Sequence, residues 1–502
     1  MDEAAKREMA AAEARVKAEH DAKPAPEAKA DTKKKDGRAK TSAENGKKGG
    51  RRPVQTSIAN AFIMAQGEPF PFRRHRRRWY RFNGRIYEVK DDEEVGGVVM
   101  GYLRQFWPQA ASVNMRNNIL AHMTEYGVAL VDGSVHMPCW LPDGEDAGEW
   151  RAMKNCLVNV RKLASGAGRK AATMEFTPRL FSVFGADYDY DPDATCPRWM
   201  QYLDEVQPNE EDRLALQMLF GLCLIPDTSY DVFFLFYGDG GTGKSVAGRV
   251  LEALVGKPNV SNLTLADFAE KHAVHLLTES LVNWVSDMPR LRSDQLQAVE
   301  GVLKQSTGGE GLKVERKNEN PGKAPATARC IFATNNLPEF TDQSYGLWRR
   351  MRIIPFEQRM VDSPKQDRGL AAKLLQELPG IFLWAVEGLG KLMAEGPAFP
   401  LMGRGKAIYD EHRALCDRVG TFLRETYKAV GGGVEEETKG VYAAYKTWSE
   451  DNGYRPKGMN QFVAEMRRVF PGVNVVRRQV DGERKRVFAG LARIPGYEEE
   501  LI

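Results

Sequence analysis

The run Gly238-Asp-Gly-Gly-Thr-Gly-Lys-Ser245 carries the clearest chemistry in the sequence. Glycines at 238, 240, 241 and 243 leave the backbone free to curl, so that successive N–H groups can converge on an anion. The run follows the apolar stretch Asp231-Val-Phe-Phe-Leu-Phe-Tyr237, and Val246–Leu254 after it has the spacing of a helix. A strand, a glycine-rich loop and a helix N-terminus in that order make a phosphate cradle, because the helix points its positive end at the loop. In the spacing G-x-x-x-x-G-K-S, Lys244 is expected to reach the β- and γ-phosphates of ATP, and the Ser245 hydroxyl to ligate Mg²⁺. Gly238, Asp239, Gly240, Gly241, Thr242 and Gly243 complete the expected nucleotide-binding set.

Three later stretches could serve the same chemistry. Leu281-Val-Asn-Trp-Val285 reads as a strand ending in Ser286-Asp287, where a carboxylate could hold Mg²⁺ through water; a lone aspartate there is otherwise a cap or turn residue. Ala328–Thr334 reads as another strand, ending at Asn335-Asn-Leu-Pro338. The Asn335 amide can orient an attacking water or sense a γ-phosphate, and an asparagine turn before Pro338 would account for the same residues. Arg349 and Arg350 suit fingers that neutralise charge on a neighbouring subunit's γ-phosphate, and equally suit surface salt bridges.

The chain that must position these residues has 502 of them, which at roughly 150 per domain suggests about three domains. Lys and Arg total 72 against 68 Asp and Glu, so the net charge of +4 announces no nucleic-acid binder and any basic surface must be local. Apolar stretches fall far short of the ~20 residues needed to cross a bilayer, which excludes a transmembrane helix. The charged N-terminus lacks the apolar core of a secretory signal, so a cytoplasmic location is expected. The six cysteines form no C-x-x-C pair and the seven histidines no H-E-x-x-H, so neither a disulfide framework nor a structural metal is expected. Asp187-Tyr-Asp-Tyr-Asp-Pro-Asp193 fails as a calcium loop, with Pro192 where glycine is needed and Arg198 where glutamate is needed. It reads as a turn-rich linker, a polymerase-type D-x-D pair being the lesser alternative.

Residues 1–53 have almost no large apolar side chain and are expected to be a disordered charged tail. Residues 54–194 read as an α+β domain, with helices over Val98–Trp107 and Ser112–Tyr126, strand-like pieces at Val128–Val131 and Cys156–Val160 and a hairpin about Asn83-Gly84. The arginines from Arg73 to Arg78 before that hairpin could track phosphates or line a solvated strand edge. Residues 195–402 hold the ATPase core and the amphipathic helices leading into it. In residues 403–502, three helices precede a hairpin about Asp481-Gly482, a winged-helix layout. Arg477, Arg478, Arg484, Lys485 and Arg486 on its arms suit a wing lying on DNA phosphates, with the third helix in a major groove; a domain used only for protein contacts is the alternative.

The ordered set of Gly238–Ser245, Ser286-Asp287, Thr307–Lys317, Ala333–Pro338 and Trp348-Arg-Arg350 resembles the superfamily 3 helicases, nearest the phage, plasmid and poxvirus-type primase-helicases. Phrases like Asp191–Trp199 before the glycine loop and Glu377–Gly388 after it are also similar to theirs. The resemblance implies a ring, hexameric in such helicases, that moves on DNA at the expense of ATP. It makes Asp287 the Walker B acid, Asn335 the sensor amide, and Arg349 or Arg350 a finger acting in trans. Gly308–Lys317 becomes a pore hairpin whose Lys313, Arg316 or Lys317 grips the DNA backbone. Three departures stand out: Asp287 has no adjacent second acid, Thr242 stands where relatives have Asn, and no primase acidic set or zinc motif precedes the core.

The expected fold class is therefore α/β: a P-loop NTPase core of AAA+ type, an α+β N-terminal domain and a C-terminal winged-helix domain. The expected function is an ATP-dependent DNA helicase in replication of a phage, plasmid or integrated element, with a separate primase or other replication proteins as further partners and no membrane. The alternative is an ATP-gated oligomeric DNA- or origin-binding protein that does not unwind. A small-molecule P-loop kinase is disfavoured by Asn335, the paired arginines and the C-terminal module.

Overall fold

The computed structural model describes residues 55–495, except 126–127, 271, 289–292, 310, 316–321, 339, 341–344, 361–366, 368, 432 and 481–482. The chain divides into Met1–Pro53 and Val54–Ile502. The expected tail, Arg316, Lys317 and the Asp481-Gly482 turn lie outside the described residues.

The second unit opens with α1 (Gln55–Ala65), a meander of β1 (Phe72–His75), β2 (Arg78–Phe82) and β3 (Tyr87–Lys90), then α2 (Asp92–Phe106) and α3 (Val113–Glu125). Ile58, Phe62, Phe72, Trp79, Val99, Leu103 and Ile119 form one core among them. Helix α2 starts earlier than the apolar spacing predicts because Asp91 and Glu94 close a capping box, with Asp91 accepting from the Glu94 amide at 2.6 Å. Val128–Val131 is not a strand; its one bridge joins Leu130 to Arg74. Asn83-Gly84 lies in the loop between β2 and β3, where Asn83 Oδ1 accepts from the Arg85 and Ile86 amides, both at 2.9 Å. The tighter turn is the preceding one, Arg76-Arg77, which the sequence reading did not single out.

Helices α4 (Pro197–Val206) and α5 (Glu210–Leu222) lead into a parallel sheet. Its strands are β4 (Phe233–Tyr237), β5 (Val260–Ser261), β6 (Val282–Val285), β9 (Arg329–Thr334) and β10 (Met351–Pro355), in the order β5-β6-β9-β4-β10. Helix α6 (Lys244–Val255) follows β4. Helix α7 (Ser293–Thr307) and the antiparallel pair β7 (Leu312–Val314) and β8 (Gly322–Ala324) fall between β6 and β9. Unbroken apolar strands need cover on both faces. Phe234, Phe236, Trp284, Ile331 and Ile354 enter the core on one face, and Phe233, Leu235, Val285, Phe332 and Ile353 the core on the other, by the two-residue alternation of a strand. The protein is thus a mixed α/β structure built on a parallel sheet.

Helix α8 (Leu378–Glu395) packs along α5 at backbone distance. A Cβ on Gly221 would lie 2.3 Å from the Ala385 carbonyl oxygen, and one on Gly388 2.2 Å from that of Gln217. Residues from Met153 to Tyr190 share the core of this sheet: Met153, Val158, Phe184, Tyr188 and Tyr190 join it from before residue 195. In Asp187–Asp191 the tyrosines point inward and Asp187, Asp189 and Asp191 outward, so strand-like alternation explains the motif.

The chain ends with α9 (Gly403–Cys416), α10 (Arg418–Thr426), β11 (Tyr427–Ala429), β12 (Glu435–Glu437), α11 (Thr438–Asp451), α12 (Met459–Val469), β13 (Asn474–Val480), β14 (Glu483–Ala489) and β15 (Leu491–Arg493). Strands β12, β14 and β13 form one antiparallel sheet and β11 pairs with β15. Phe422, Tyr445, Phe462 and Phe488 meet in a separate core. Among the described residues no helix is long and apolar enough to cross a membrane, and no group of His, Cys, Asp or Glu could hold a metal ion by itself.

Candidate nucleotide site

Because the strands run parallel, the ends of β4, β6 and β9 open on the same edge of the sheet, the edge where ligands of such folds sit. Gly238 donates to Thr334 O at 3.2 Å and Met288 to Ala333 O at 2.9 Å, which levels the loop, the residue after Asp287 and the end of β9. Gly238 has φ 151°, and a Cβ there would lie 1.9 Å from Phe356 O, so glycine is required. Gly243, at φ 100°, starts α6 without a side-chain cap, leaving the first amides of the helix to face the loop.

Lys244 is buried and its ammonium turns back into the loop. It donates to Gly238 O, to Asp239 O at 2.6 Å and to Asn335 Oδ1 at 3.2 Å. Burial pulls its pKa below the usual lysine value, against the opposing pull of Asp239 and Asp287. Asp239, Gly240, Gly241, Ser245, Asp287 and Asn335 are exposed at this edge, and Thr242 is buried with its hydroxyl on Asp239 O at 2.9 Å. The Thr334 hydroxyl donates to Asn336 O at 2.6 Å and accepts from the Asn336 amide at 3.1 Å. A turn at Thr334–Asn336 thus holds Asn335, whose amide oxygen accepts from Lys244.

Two groups that sequence reading missed brace this loop, and a third caps the helix that carries one of them. Tyr202 of α4 donates to Gly243 O at 2.9 Å, and the Met360 amide donates to Gly241 O at 2.9 Å. The Glu377 carboxylate accepts from the Arg198 and Trp199 amides at 3.1 and 3.0 Å, capping α4, while Trp199 meets Trp384 of α8 edge to face at 5.3 Å. The two phrases around Trp199 and Glu377 are thus one packing unit; an acid next to Leu-Pro was the only sequence signal for the cap.

Arg349 and Arg350 lie at the opposite edge, where the Phe233 amide donates to Arg350 O at 2.9 Å at the start of β4. Both guanidiniums approach Asp231 Oδ2 at 3.4 Å, so neither reaches the glycine loop of its own chain. A cleft of about 770 Å³ lined by Asp146, Glu149, Arg161, Asp227, Asp231 and Gly308 opens on this arginine edge, away from the loop. Lys313 is exposed on β7 and pairs with Glu315 at 2.8 Å.

On the C-terminal hairpin Arg477 stands opposite Arg486, Arg478 opposite Lys485, and Gln479 opposite Arg484. Arg478 pairs with Glu435 at 2.9 Å and Lys485 with Glu437 at 3.6 Å, so one face is largely neutralised. Arg477, Arg484 and Arg486 share the other face and are exposed. On α12, Arg468 is tied to Asp417 and Glu465, whereas Arg467 is exposed and, among the described residues, has no acidic partner.

Residues 236–350, which span the glycine loop through the paired arginines, match a family described as one of unknown function, DUF5906. Among curated proteins the chain is similar to L207/L206 of Acanthamoeba polyphaga mimivirus, provisionally named a helicase. The two are 24% identical over 220 residues, 41% of this chain and 21% of that protein. It is also similar to 121R of Invertebrate iridescent virus 3, likewise provisionally named a helicase, at 24% identity over 232 residues, 43% of this chain and 23% of that protein. The chain spans less than a quarter of the length of these relatives. The solved apo structure of the NrS-1 C-terminal region has the same fold, with a TM-score of 0.53 at 12% identity over 88% of this chain and 100% of that one.

Proposed function

We propose that the protein is an ATP-dependent DNA helicase of superfamily 3 type, with a P-loop ATPase core, a C-terminal winged-helix module and a hexameric working form, acting in replication of a phage, plasmid or integrated element. The observation that carries this reading is the convergence of Lys244, Asn335 and Asp287 on one sheet edge around a glycine loop and an uncapped helix N-terminus. The similarity to viral proteins named as helicases supports the choice of activity.

These residues fit a nucleotide with its metal: loop amides and the α6 N-terminus face outward for phosphates, and the site supplies one ammonium, one hydroxyl and one carboxylate. Bound Mg-ATP would supply the phosphoanhydride and the divalent charge that neutralises it. Lys244 would exchange its loop carbonyls for phosphate oxygens, Ser245 and Asp287 would hold the metal, and Asn335 would orient water. Arg349 or Arg350 would reach a neighbour's nucleotide, as their distance from the chain's own loop requires. Lys313, with Arg316 and Lys317, would grip DNA in the pore, and the C-terminal hairpin would lie on duplex.

Strand displacement on a forked DNA, comparing wild type with Lys244→Ala, tests this. Wild type should separate strands only with ATP, and the variant should lose at least a hundredfold in rate. ATP-dependent assembly on DNA without strand separation by wild type would reject the helicase and leave the ATP-gated binding protein.

A further inference from the structure

We propose that the Arg76-Arg77 turn is a contact for the phosphate backbone of nucleic acid, separate from the nucleotide site and from the C-terminal hairpin. The choice of partner rests on the DNA-directed reading above.

His75 pairs with Arg78, so Arg76 and Arg77 are the whole loop between β1 and β2. A two-residue hairpin loop of this kind needs both residues in the left-handed region, which is why Asn-Gly is the usual choice. Here Arg76 has φ 47° and Arg77 φ 65°; among the described non-glycine residues only Asp231 shares a positive φ. The chain does place Asn83-Gly84 in the following loop, with Gly84 at φ 100°, so the unstrained solution is one it uses nearby. Strain kept at a surface turn points to a use for the side chains that cause it.

Most arginines of the run are engaged within the fold. Arg73 donates to Phe72 O at 2.8 Å, Arg74 pairs with Asp92 at 2.6 Å, Arg78 with Glu279 at 3.1 Å, and Arg81 lies over the Phe72 ring. Arg76 donates to Gly133 O at 2.9 Å and to His136 Nδ1 at 3.0 Å, which clamps the turn against the facing loop. The acid of that loop, Asp132, is taken up by the Ser134 amide at 2.7 Å. Arg77 alone in the run is exposed and, among the described residues, makes no hydrogen bond, ion pair or ring contact. A guanidinium fork fixed at the tip of a clamped hairpin is shaped for a phosphate, and such a contact is independent of base sequence.

The test uses the full chain, a fluorescent forked DNA, anisotropy at several salt concentrations, and thermal unfolding of Arg77→Gly, Arg77→Asn and Arg77→Lys. Glycine and asparagine relieve the strain, so Tm should rise by about 1–3 °C while DNA affinity falls about three- to tenfold and the salt slope drops by about 1. Arg77→Lys keeps the charge but not the fork, so the salt slope should stay at the wild-type value while affinity falls less than in the glycine and asparagine variants. A higher Tm with unchanged affinity and slope would overturn the proposal, including the case where the turn meets an acidic protein instead. A lower Tm for both would overturn the strain argument on which it stands. Wild type that binds no DNA would reject the helicase reading too, whereas wild type that unwinds beside Arg77 variants with unaltered binding rejects this inference alone.

Discussion

Arg349 and Arg350 are neighbours in sequence but are held differently, and the difference separates a packed arginine from an exposed one. The Arg350 side chain is 11% exposed, donates to Gly346 O at 2.6 Å and lies against Gly308, whereas that of Arg349 is 46% exposed and, among the described residues, leans on Asp231 alone. Removing Arg350 would leave the half-buried Gly346 carbonyl without this donor and open space under the end of α7. Arg350→Ala should therefore cost about 1–3 kcal/mol of stability, read by chemical unfolding. Arg349→Ala should stay within about 0.5 kcal/mol of wild type. On the proposed reading Arg349→Ala nonetheless lowers ATP turnover by about 10³-fold with nucleotide affinity intact, because a finger acts on the transition state. Full turnover in Arg349→Ala would remove it as the finger.

At the scale of elements, what was legible followed from periodicity and from residues with one conformational purpose. The strands β4, β6 and β9 and helix α6 fall where apolar runs and the glycine loop place them, because a buried parallel strand has no polar face to blur it. The Arg76-Arg77 turn was illegible because nothing in two arginines signals positive φ, and the Glu377 cap because its partner amides are distant in sequence. The spread of basic residues over both arms of the C-terminal hairpin was legible, but not its division into faces, since Glu435 and Glu437 reach it only through the pairing of β12 with β14. Like charges directly across a ladder are destabilising unless something neutralises them. Arg478 and Lys485 have those glutamates; Arg477, Arg484 and Arg486 face outward. If the hairpin lies on DNA as proposed, Arg477→Ala with Arg486→Ala should lower the salt slope of duplex binding by about 2, and Arg478→Ala by well under 1. Equal losses from both faces, measured by anisotropy across a salt series, would refute the division.

For the molecule as a whole, the net charge of +4 averages over regions of opposite sign, and the core likewise ignores the sequence boundary expected at 194. The near end of α6 carries Lys244, and its far end is pinned by residues before that boundary. Arg151 donates to Val255 O and to Leu224 O at 3.5 Å, and Tyr188 to Leu254 O at 2.9 Å. Asn259 donates to Gly185 O at 2.8 Å, and Gly256 comes so close that a Cβ would lie 2.4 Å from the same oxygen. Arg151 is fully buried, and burial pushes its pKa down to about 10, so the cation remains charged at neutral pH and sits favourably at a helix C-terminus. Arg151→Met, which keeps most of the packing, should cost about 1–3 kcal/mol. A chain begun at Thr195 would lose the Arg151 and Tyr188 donors and the Gly185 acceptor, together with Met153, Val158, Phe184 and Tyr190, baring the flank of α6 and Phe382 of α8. Such a fragment should show no cooperative thermal transition and should bind a hydrophobic dye strongly. A fragment that unfolds cooperatively within a few degrees of the full chain would mean that the core divides at 194 after all, and that α6 needs nothing from the residues before it.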